Sequence, residues 1–209
     1  MYDSPLYGSV LQCEVARTVR PRSIVLATRN PHKIAEIKEI LGGRIQYETI
    51  GDFLEISIKE AGRTLFDNSL TKAAFTFKVS GKPSLADDSG LFIETLDGKP
   101  GIYSARYGSD DSERIKKVLN QLVNKKNRRA SFKAVFIYYY APNIYEVFEG
   151  ECRGIIADEP RGSNGFGYDP IFIPKGYSKT FAELGKEVKN RISHRAKALI
   201  KFKKYLKKL

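Results

Sequence analysis

The feature that most constrains the fold of this chain is a short apolar run that leads directly into a capped helix. Residues 24–27 are Ile, Val, Leu and Ala, and a continuous apolar run of this length is typical of a buried strand. Asn30 is a favoured helix N-cap, Pro31 suits the first helical position, and Gly42 and Gly43 predict where the helix ends. A buried strand followed at once by a helix favours an α/β fold.

The rest of the chain continues this alternation. Apolar spacing predicts a helix over residues 65–79, capped by Thr64 with Asp67 three positions on, and another over residues 113–123. A hairpin is expected late in the chain, because two strand patterns flank Pro142 and Asn143. Further strands are predicted at residues 84–86 and 91–94, the hairpin strands at 132–140 and 144–152, and a final helix from about Ser193. We therefore expect an α/β fold with a mixed β-sheet flanked by helices, as one domain over residues 23–209 behind an N-terminal arm, residues 1–22.

Composition limits the classes of protein to consider. No stretch approaches the ~20 apolar residues of a membrane span, and residues 1–22 lack the apolar core of a secretory signal, so a cytoplasmic protein is expected. Cys13 and Cys152 are the only cysteines and are expected to be reduced thiols. The formal charge is +12, and residues 186–209 hold ten Lys or Arg and one Glu. This excess suggests a polyanionic partner such as nucleic acid, a membrane surface or nucleotide phosphates.

Residues 28–33, Thr-Arg-Asn-Pro-His-Lys, run from the predicted strand into the predicted helix. Free backbone N–H groups and the helix dipole attract anions at such a helix start, so phosphate is the natural ligand. A positive charge in the first turn, such as that of Lys33, interacts unfavourably with the helix dipole. This small energetic cost would be offset if the ammonium group contacts a bound anion. The alternative is an ordinary capped helix with a solvated lysine.

Residues 87–90, Asp-Asp-Ser-Gly, lie between two apolar runs. Burying unpaired carboxylates is costly, and Mg²⁺ would satisfy them, while one carboxylate could accept a proton from an attacking water. The alternative is an acidic turn closed by Gly90. Glu60 is a possible further ligand, although its local sequence does not distinguish it from a solvated glutamate.

A glycine-rich segment with two aromatic residues covers residues 161–170. Its backbone could approach a ligand closely and its rings could stack on a flat base, or the rings could simply join the core. Donors for a 6-oxopurine are available in the cluster Lys189, Arg191, His194 and Arg195, which otherwise reads as a solvated basic face. The chain has no P-loop, zinc pattern or nucleophile elbow.

Taken together and in this order, the motifs resemble the inosine triphosphate pyrophosphatase family over about Ile24 to Leu206. The matching segments are 27–33, 60–72, 86–91, 100–107, 165–170 and 192–195. The resemblance implies an elongated, twisted mixed sheet, two lobes around a central cleft, and a homodimer. It also implies Mg²⁺-dependent hydrolysis of ITP, dITP and XTP to the monophosphate and pyrophosphate.

The resemblance assigns roles to individual residues. Thr28, Asn30 and Lys33 would hold the triphosphate, with Arg29, Pro31 and His32 of the same segment as further candidate contacts and Lys72 adding positive charge. Glu60 and Asp88 would bind Mg²⁺, Asp88 would also accept the proton, and Ser89 would touch substrate. Base-pocket candidates are Phe166, Gly167, Tyr168 and Asp169, and the purine edge would be read by Lys189, His194 and Arg195. The chain departs from the family pattern at Arg29, at Ser163 and Asn164, and in the arm.

A different class of function is a basic module that binds single-stranded nucleic acid. Residues 138–140, three consecutive tyrosines, would stack on bases while the C-terminal lysines meet phosphates. Consecutive strand residues point to alternate faces, however, and the final helix has an apolar face suited to packing on a core. The preferred expectation is therefore a nucleotide substrate, with neither nucleic acid nor a membrane as partner.

Overall fold

The computed structural model describes residues 20–43, 45–55 and 61–209, which form a mixed β-sheet with helices packed on it. The strands are β1 (Ser23–Leu26), β2 (Gln46–Thr49), β3 (Ser84–Ile93), β4 (Arg129–Ala141), β5 (Ile144–Ile156) and β6 (Phe172–Pro174). The α-helices are α1 (Pro31–Leu41), α2 (Leu65–Ser80), α3 (Asp111–Gln121), α4 (Phe181–Ile192) and α5 (His194–Leu206). The α/β class predicted from the sequence is confirmed, whereas residues 1–19 of the predicted arm lie outside the described residues.

The strand order is β2-β1-β3-β4-β5-β6, with β1 parallel to β2 and β3 and the remaining pairs antiparallel. The chain leaves β1 towards β2 on one side, while β3 lies on the other. Ligands of open α/β sheets bind at such a switch point, outside the carboxyl end of the strand. The β1–β3 ladder is short, because only Val25 and Leu26 of β1 have partners on β3. Beyond that ladder β3 continues with an edge that β1 does not cover.

Helices pack on both faces of the long strand β4. Its residues Phe136 and Tyr138 belong to one buried group with α1 and α5, whereas Val135 and Ile137 belong to another with α2. A third group, which includes Phe132, surrounds β6, α3 and the start of α4 at the other end of the sheet. The sheet therefore connects two lobes, with the boundary between them near Phe132.

Local sequence signals predict several elements well. Thr64 and Asp67 form the expected capping box at the start of α2, and Gly81 ends the helix with a φ of 65°. The β4–β5 hairpin turns at Asn143, whose φ is 59°. Strands β2 and β6 and helix α4 are additional elements that the sequence patterns did not reveal.

The prediction of two separate strands, at residues 84–86 and 91–94, is wrong, and the structure also rules out the alternative of an acidic turn at residues 87–90. β3 is one continuous strand of ten residues, paired with β4 along its whole length. Asp87 is opposite Phe136 and Asp88 is opposite Val135, so the two carboxylates point to different faces of the sheet. Pairing with β4 satisfies the backbone hydrogen-bonding groups of this segment. Nearby polar and cationic side chains compensate the charges of Asp87 and Asp88.

Two further observations concern the described residues only. No helix among them combines the length and the apolar character needed to cross a membrane. Cys152 is a free, buried thiol, and burial raises its pKa to about 11, so it is protonated at neutral pH. Cys13 lies outside the described residues.

Candidate active site

The predicted segments converge on one cleft of about 200 Å³ between the start of α1 and residues 165–169, called here the glycine loop. Its lining includes most of the predicted side chains, namely Asn30, His32, Lys33, Asp88, Ser89, Phe166, Gly167, Tyr168, Asp169, Lys189, His194 and Arg195. The start of α1, the middle of β3, the glycine loop and the α4–α5 junction therefore share one cavity. Thr28, Arg29, Pro31 and Lys72 do not line it.

The start of α1 is capped from within. Asn30 Oδ1 accepts hydrogen bonds from the backbone N–H groups of His32, at 2.9 Å, and Lys33, at 3.2 Å. Thr28 Oγ1 accepts the N–H of Asn30 at 3.2 Å. The first-turn N–H groups of His32 and Lys33 therefore already have a partner, and the positive charge of this wall comes from the Lys33 ammonium group.

Arg29 lies away from the cleft. Its guanidinium group donates to the backbone carbonyls of Leu54 and, at 2.6 Å, Glu55. Pro31 is exposed at the first position of α1. Both residues shape the segment locally, and their side chains make no contribution to the cleft lining.

Asp87 is fully buried on the face of β3 that packs on α1 and α5. Its Oδ2 lies 2.9 Å from Lys33 Nζ and 3.7 Å from Arg195 Nη2. Burial alone would raise the pKa of Asp87, but attraction to Lys33, Arg195 and Lys72 outweighs it and holds this pKa far below its usual value. Burial in turn lowers the pKa of Lys33, although Asp87 opposes that change. The carboxylate thus neutralises a group of inward-facing cations.

Asp88 points to the opposite face of β3, towards α2. Its Oδ2 accepts a hydrogen bond from Asn68 Nδ2 at 2.8 Å, and its Oδ1 accepts the N–H of Ser89 at 3.0 Å. Lys72 Nζ lies 3.9 Å from Asp88 Oδ1 and donates to the backbone carbonyl of Asp87 at 2.6 Å. Helix α2 therefore orients Asp88 through an amide and an ammonium group. Asn68 was not among the predicted site residues, although it lies within the family-matching segment 60–72.

The oxygen donors of β3 suit Mg²⁺ in kind, because hard divalent cations prefer carboxylate oxygens. Asp88 reaches the cleft, and Oδ1 of the buried Asp87 has no hydrogen-bond partner among the residues that the structure describes. Within residues 20–43, 45–55 and 61–209, no group of three or more His, Cys, Asp or Glu side chains comes together. Glu60, the second predicted ligand, lies outside the described residues. The fit therefore rests on the chemistry of the Asp88 carboxylate, which lines the cleft.

Glu36 of α1 joins two of the predicted cations. Its Oε1 lies 2.8 Å from Lys189 Nζ, and its Oε2 accepts a hydrogen bond from Arg195 Nη1. Burial would raise the pKa of Glu36, but Arg195 and Lys189 lower it below its usual value. Lys189 also contacts Asp169 Oδ2 at 2.5 Å. Glu36 was missed by the sequence reading, because only tertiary packing brings α1 next to the α4–α5 junction.

His194, the first residue of α5, is buried beside these cations. Burial, reinforced by Arg195 and Lys189, places its pKa well below 6.5, so the ring is neutral at physiological pH. The ring stacks on Phe132 with centroids 4.7 Å apart, and Nδ1 has no hydrogen-bond partner in the described structure. A buried polar atom without a partner at a cleft wall is a candidate ligand contact. Arg191, by contrast, is exposed and does not line the cleft.

The glycine loop places an aromatic ring against the first turn of α1. Phe166 stacks with His32, with centroids 5.0 Å apart and an interplanar angle of 14°, and Lys189 Nζ lies 4.3 Å from the Phe166 centroid. Asp169 Oδ2 accepts the N–H of Phe166 at 2.9 Å. Tyr168 is buried and donates its hydroxyl hydrogen to the carbonyl of Ser104 at 3.0 Å. Phe166 therefore offers a stacking ring, whereas Tyr168 anchors the loop.

Comparison with known proteins identifies this architecture. The family model described as the Ham1 family matches residues 24–205. The dITP/XTP pyrophosphatase of Thermus thermophilus is 46% identical over 188 residues, which is 87% of this chain and 90% of that protein. The one from Bacillus subtilis is 44% identical, over 88% of this chain and 97% of the relative.

Solved structures agree with the sequence comparison. A HAM1 protein from Coxiella burnetii has a TM-score of 0.83 at 40% identity, covering 90% of this chain and 99% of that one. The Ham1 protein of Staphylococcus aureus has a TM-score of 0.81 at 39% identity, covering 88% of this chain and 98% of that one. The chain belongs to the Ham1 family.

Proposed function

We propose that this protein hydrolyses deaminated purine nucleoside triphosphates (ITP, dITP and XTP) to the nucleoside monophosphate and pyrophosphate. The observation that carries the proposal is the single cleft, which is lined by Lys33 and Asp88 together with Phe166, Lys189 and His194. The relatives named dITP/XTP pyrophosphatases support the same substrate class. This combination suits a ligand that carries both phosphates and a flat base.

At the phosphate end, the ammonium group of Lys33 would face the triphosphate, with Lys72 adding charge from behind β3. A water molecule would attack the α-phosphorus, its proton would pass to the Asp88 carboxylate, and the bond from the α-phosphorus to the bridging oxygen would break to release pyrophosphate. Asn68 and the Ser89 N–H hold that carboxylate in place. Positioning and charge thus supply most of the catalysis.

We assign Mg²⁺ binding to Asp88 and to Glu60. When bound, Mg²⁺ would neutralise the triphosphate and polarise the phosphorus being attacked. Asp88 lines the cleft, and Glu60 lies outside the described residues.

At the base end, Phe166 would stack on the purine and Lys189, His194 and Arg195 would face its edge. Donors aimed at the oxygen on C6 of inosine or xanthosine would meet the amino group of adenosine instead. Leaving buried donors unpaired in this way can reject a substrate by factors on the order of 10⁴. We therefore expect ATP to be a poor substrate. GTP also has an oxygen on C6, so it must be excluded by contacts at C2 of the purine.

The alternative, a module that binds single-stranded nucleic acid, has less support. Tyr138, Tyr139 and Tyr140 are all buried, with exposed fractions of 2%, 8% and 7%, so their rings offer no stacking surface. Lys197 and Lys201 of α5 donate to backbone carbonyls of β5, both at 2.7 Å. Salt-sensitive retention on single-stranded RNA without pyrophosphate release from ITP would favour this alternative.

The decisive assay incubates the purified protein with Mg²⁺ and ITP, XTP, GTP or ATP in parallel, and measures pyrophosphate and orthophosphate separately. We expect pyrophosphate from ITP and XTP, little product from ATP, and loss of activity with a chelator. Release of orthophosphate would show that the protein is an ordinary phosphatase. Equal rates of hydrolysis of all four substrates would refute the proposed selectivity. We also propose a homodimer, which sedimentation at micromolar concentration tests.

A further inference from the structure

The glycine loop is hydrogen-bonded to helix α3. The backbone N–H of Gly167 donates to Oδ2 of Asp111 at 2.6 Å, joining residues 56 positions apart. The other carboxylate oxygen of Asp111 accepts from Arg114 Nη1, also at 2.6 Å. Asp111 and Arg114 both line the cleft. A fixed carboxylate on α3 thus holds the amide group next to Phe166.

Asp111 is not needed to start its own helix. Asp110 is the N-cap of α3, and its Oδ1 accepts the N–H of Glu113 at 2.8 Å. The side chain of Asp111 is 47% exposed, so it buries little surface against the core. Its two short hydrogen bonds instead go to Arg114 and to the loop. The hydrogen bond between Asp111 and Gly167 therefore contributes little to the packing of α3.

The loop needs an external tie at this position. Gly167 has a φ of 63°, in the left-handed region, and no side chain with which to anchor itself. The Phe166 N–H and the Tyr168 hydroxyl are each held, by Asp169 and by the Ser104 carbonyl. The Gly167 N–H belongs to the peptide group that joins Phe166 to Gly167. The hydrogen bond to Asp111 therefore fixes this peptide group and, through it, the orientation of the Phe166 ring.

We propose that Asp111, held by Arg114, is a positioning residue that fixes the glycine loop and thereby sets the affinity of the site for the purine base. This inference rests on the proposed function, because it assumes that Phe166 stacks on the base. Asp111 acts through the Gly167 amide and touches neither the phosphates nor the reacting atoms. Its removal should weaken recognition of the base and leave the chemistry intact.

The test compares Asp111→Ala with Asp111→Asn and with Asp110→Ala. For Asp111→Ala we expect the KM for ITP and XTP to rise about tenfold, as for loss of one hydrogen bond to a charged group, with kcat within about twofold of wild type. Inhibition by inorganic tripolyphosphate, which has no base, should not change. Asp111→Asn keeps an oxygen acceptor and should restore most of the affinity. Asp110→Ala removes the helix cap and should lower the Tm without changing KM.

An unchanged KM in Asp111→Ala would overturn the inference, as would the same rise in KM in Asp110→Ala or an equal loss of tripolyphosphate binding. A second measurement does not depend on turnover. Hydrogen exchange at residues 165–169 of the free protein should become faster in Asp111→Ala but not in Asp110→Ala, and equal protection in all three proteins would also overturn the inference. Absence of pyrophosphate release by the wild-type protein is a separate result that counts against the proposed function.

Discussion

Gly150 of β5 lies directly beneath the carbonyl group of His194, so closely that a methyl group on this glycine would overlap the carbonyl oxygen. The same methyl group would come 2.8 Å from the backbone nitrogen of Ala198. The first turn of α5 therefore rests on the sheet only because residue 150 has no side chain. This close approach brings His194 and Arg195 to the cleft.

Gly150→Ala should consequently damage stability and activity together. Moving α5 off the sheet should lower the free energy of unfolding by about 1–3 kcal/mol and weaken ITP hydrolysis by displacing His194. Urea unfolding and pyrophosphate release measure the two effects. Gly43→Ala is the matched control, because, its chain neighbours aside, a methyl group there meets no atom of the described residues within 4 Å. A Gly150→Ala variant as stable and as active as the control would contradict this description of α5.

Asp88→Asn should abolish turnover while the fold is kept. The amide has nearly the same shape as the carboxylate but cannot accept the proton, so kcat for ITP should fall on the order of 10²–10⁴-fold. Pyrophosphate release gives the rate, and circular dichroism with a melting curve checks the fold. Asp158→Asn, at a side chain that is 92% exposed, should behave as wild type. Near-normal activity of Asp88→Asn would refute the assigned role.

Phe166→Ala should separate base recognition from phosphate binding. Loss of a stacking ring costs about 1–3 kcal/mol per base, so we expect the KM for ITP to rise roughly 10- to 100-fold. Inhibition by tripolyphosphate should not change, because in the proposed function the phosphates are bound by Lys33 and not by Phe166. Phe75→Ala, at a ring that is 36% exposed on α2, is the control. Equal losses for ITP and tripolyphosphate would place the triphosphate, not the base, against Phe166.

The stability of the protein should depend on pH through His194. Its pKa in the folded protein lies well below 6.5, so below that pH the unfolded chain binds a proton that the folded chain does not. The contribution of His194 to the free energy of unfolding therefore falls as pH drops below 6.5, by up to about 1.4 kcal/mol per pH unit.

His194→Phe removes this titration, keeps a ring against Phe132 and breaks no hydrogen bond of Nδ1 in the described structure. Denaturant unfolding at pH 7.5 and 5.5 should show wild type losing stability relative to the variant on acidification. Parallel losses in the two proteins would mean that His194 is protonated in the folded state.

Local chemistry is what the sequence by itself determined. The β1–α1 unit, the Asn30 cap, the capping box of Thr64 and Asp67, and the β4–β5 hairpin were all predicted. Each depends on hydrogen bonds or backbone preferences that act within a few residues, so neighbouring sequence is sufficient. The family motifs likewise named most of the side chains that line the cleft.

The tertiary structure decided what happens between distant residues. The acidic segment became the middle of a strand, not a turn, because β4 pairs with all of β3. Glu36 and Asn68 became site residues only when packing brought α1 to α5 and α2 to β3. The neutral state of His194 likewise depends mainly on its burial in the folded protein, reinforced by the nearby cations Arg195 and Lys189. Burial, charge pairing and long-range hydrogen bonds depend on separations in space, and these have no counterpart in the spacing of residues along the chain.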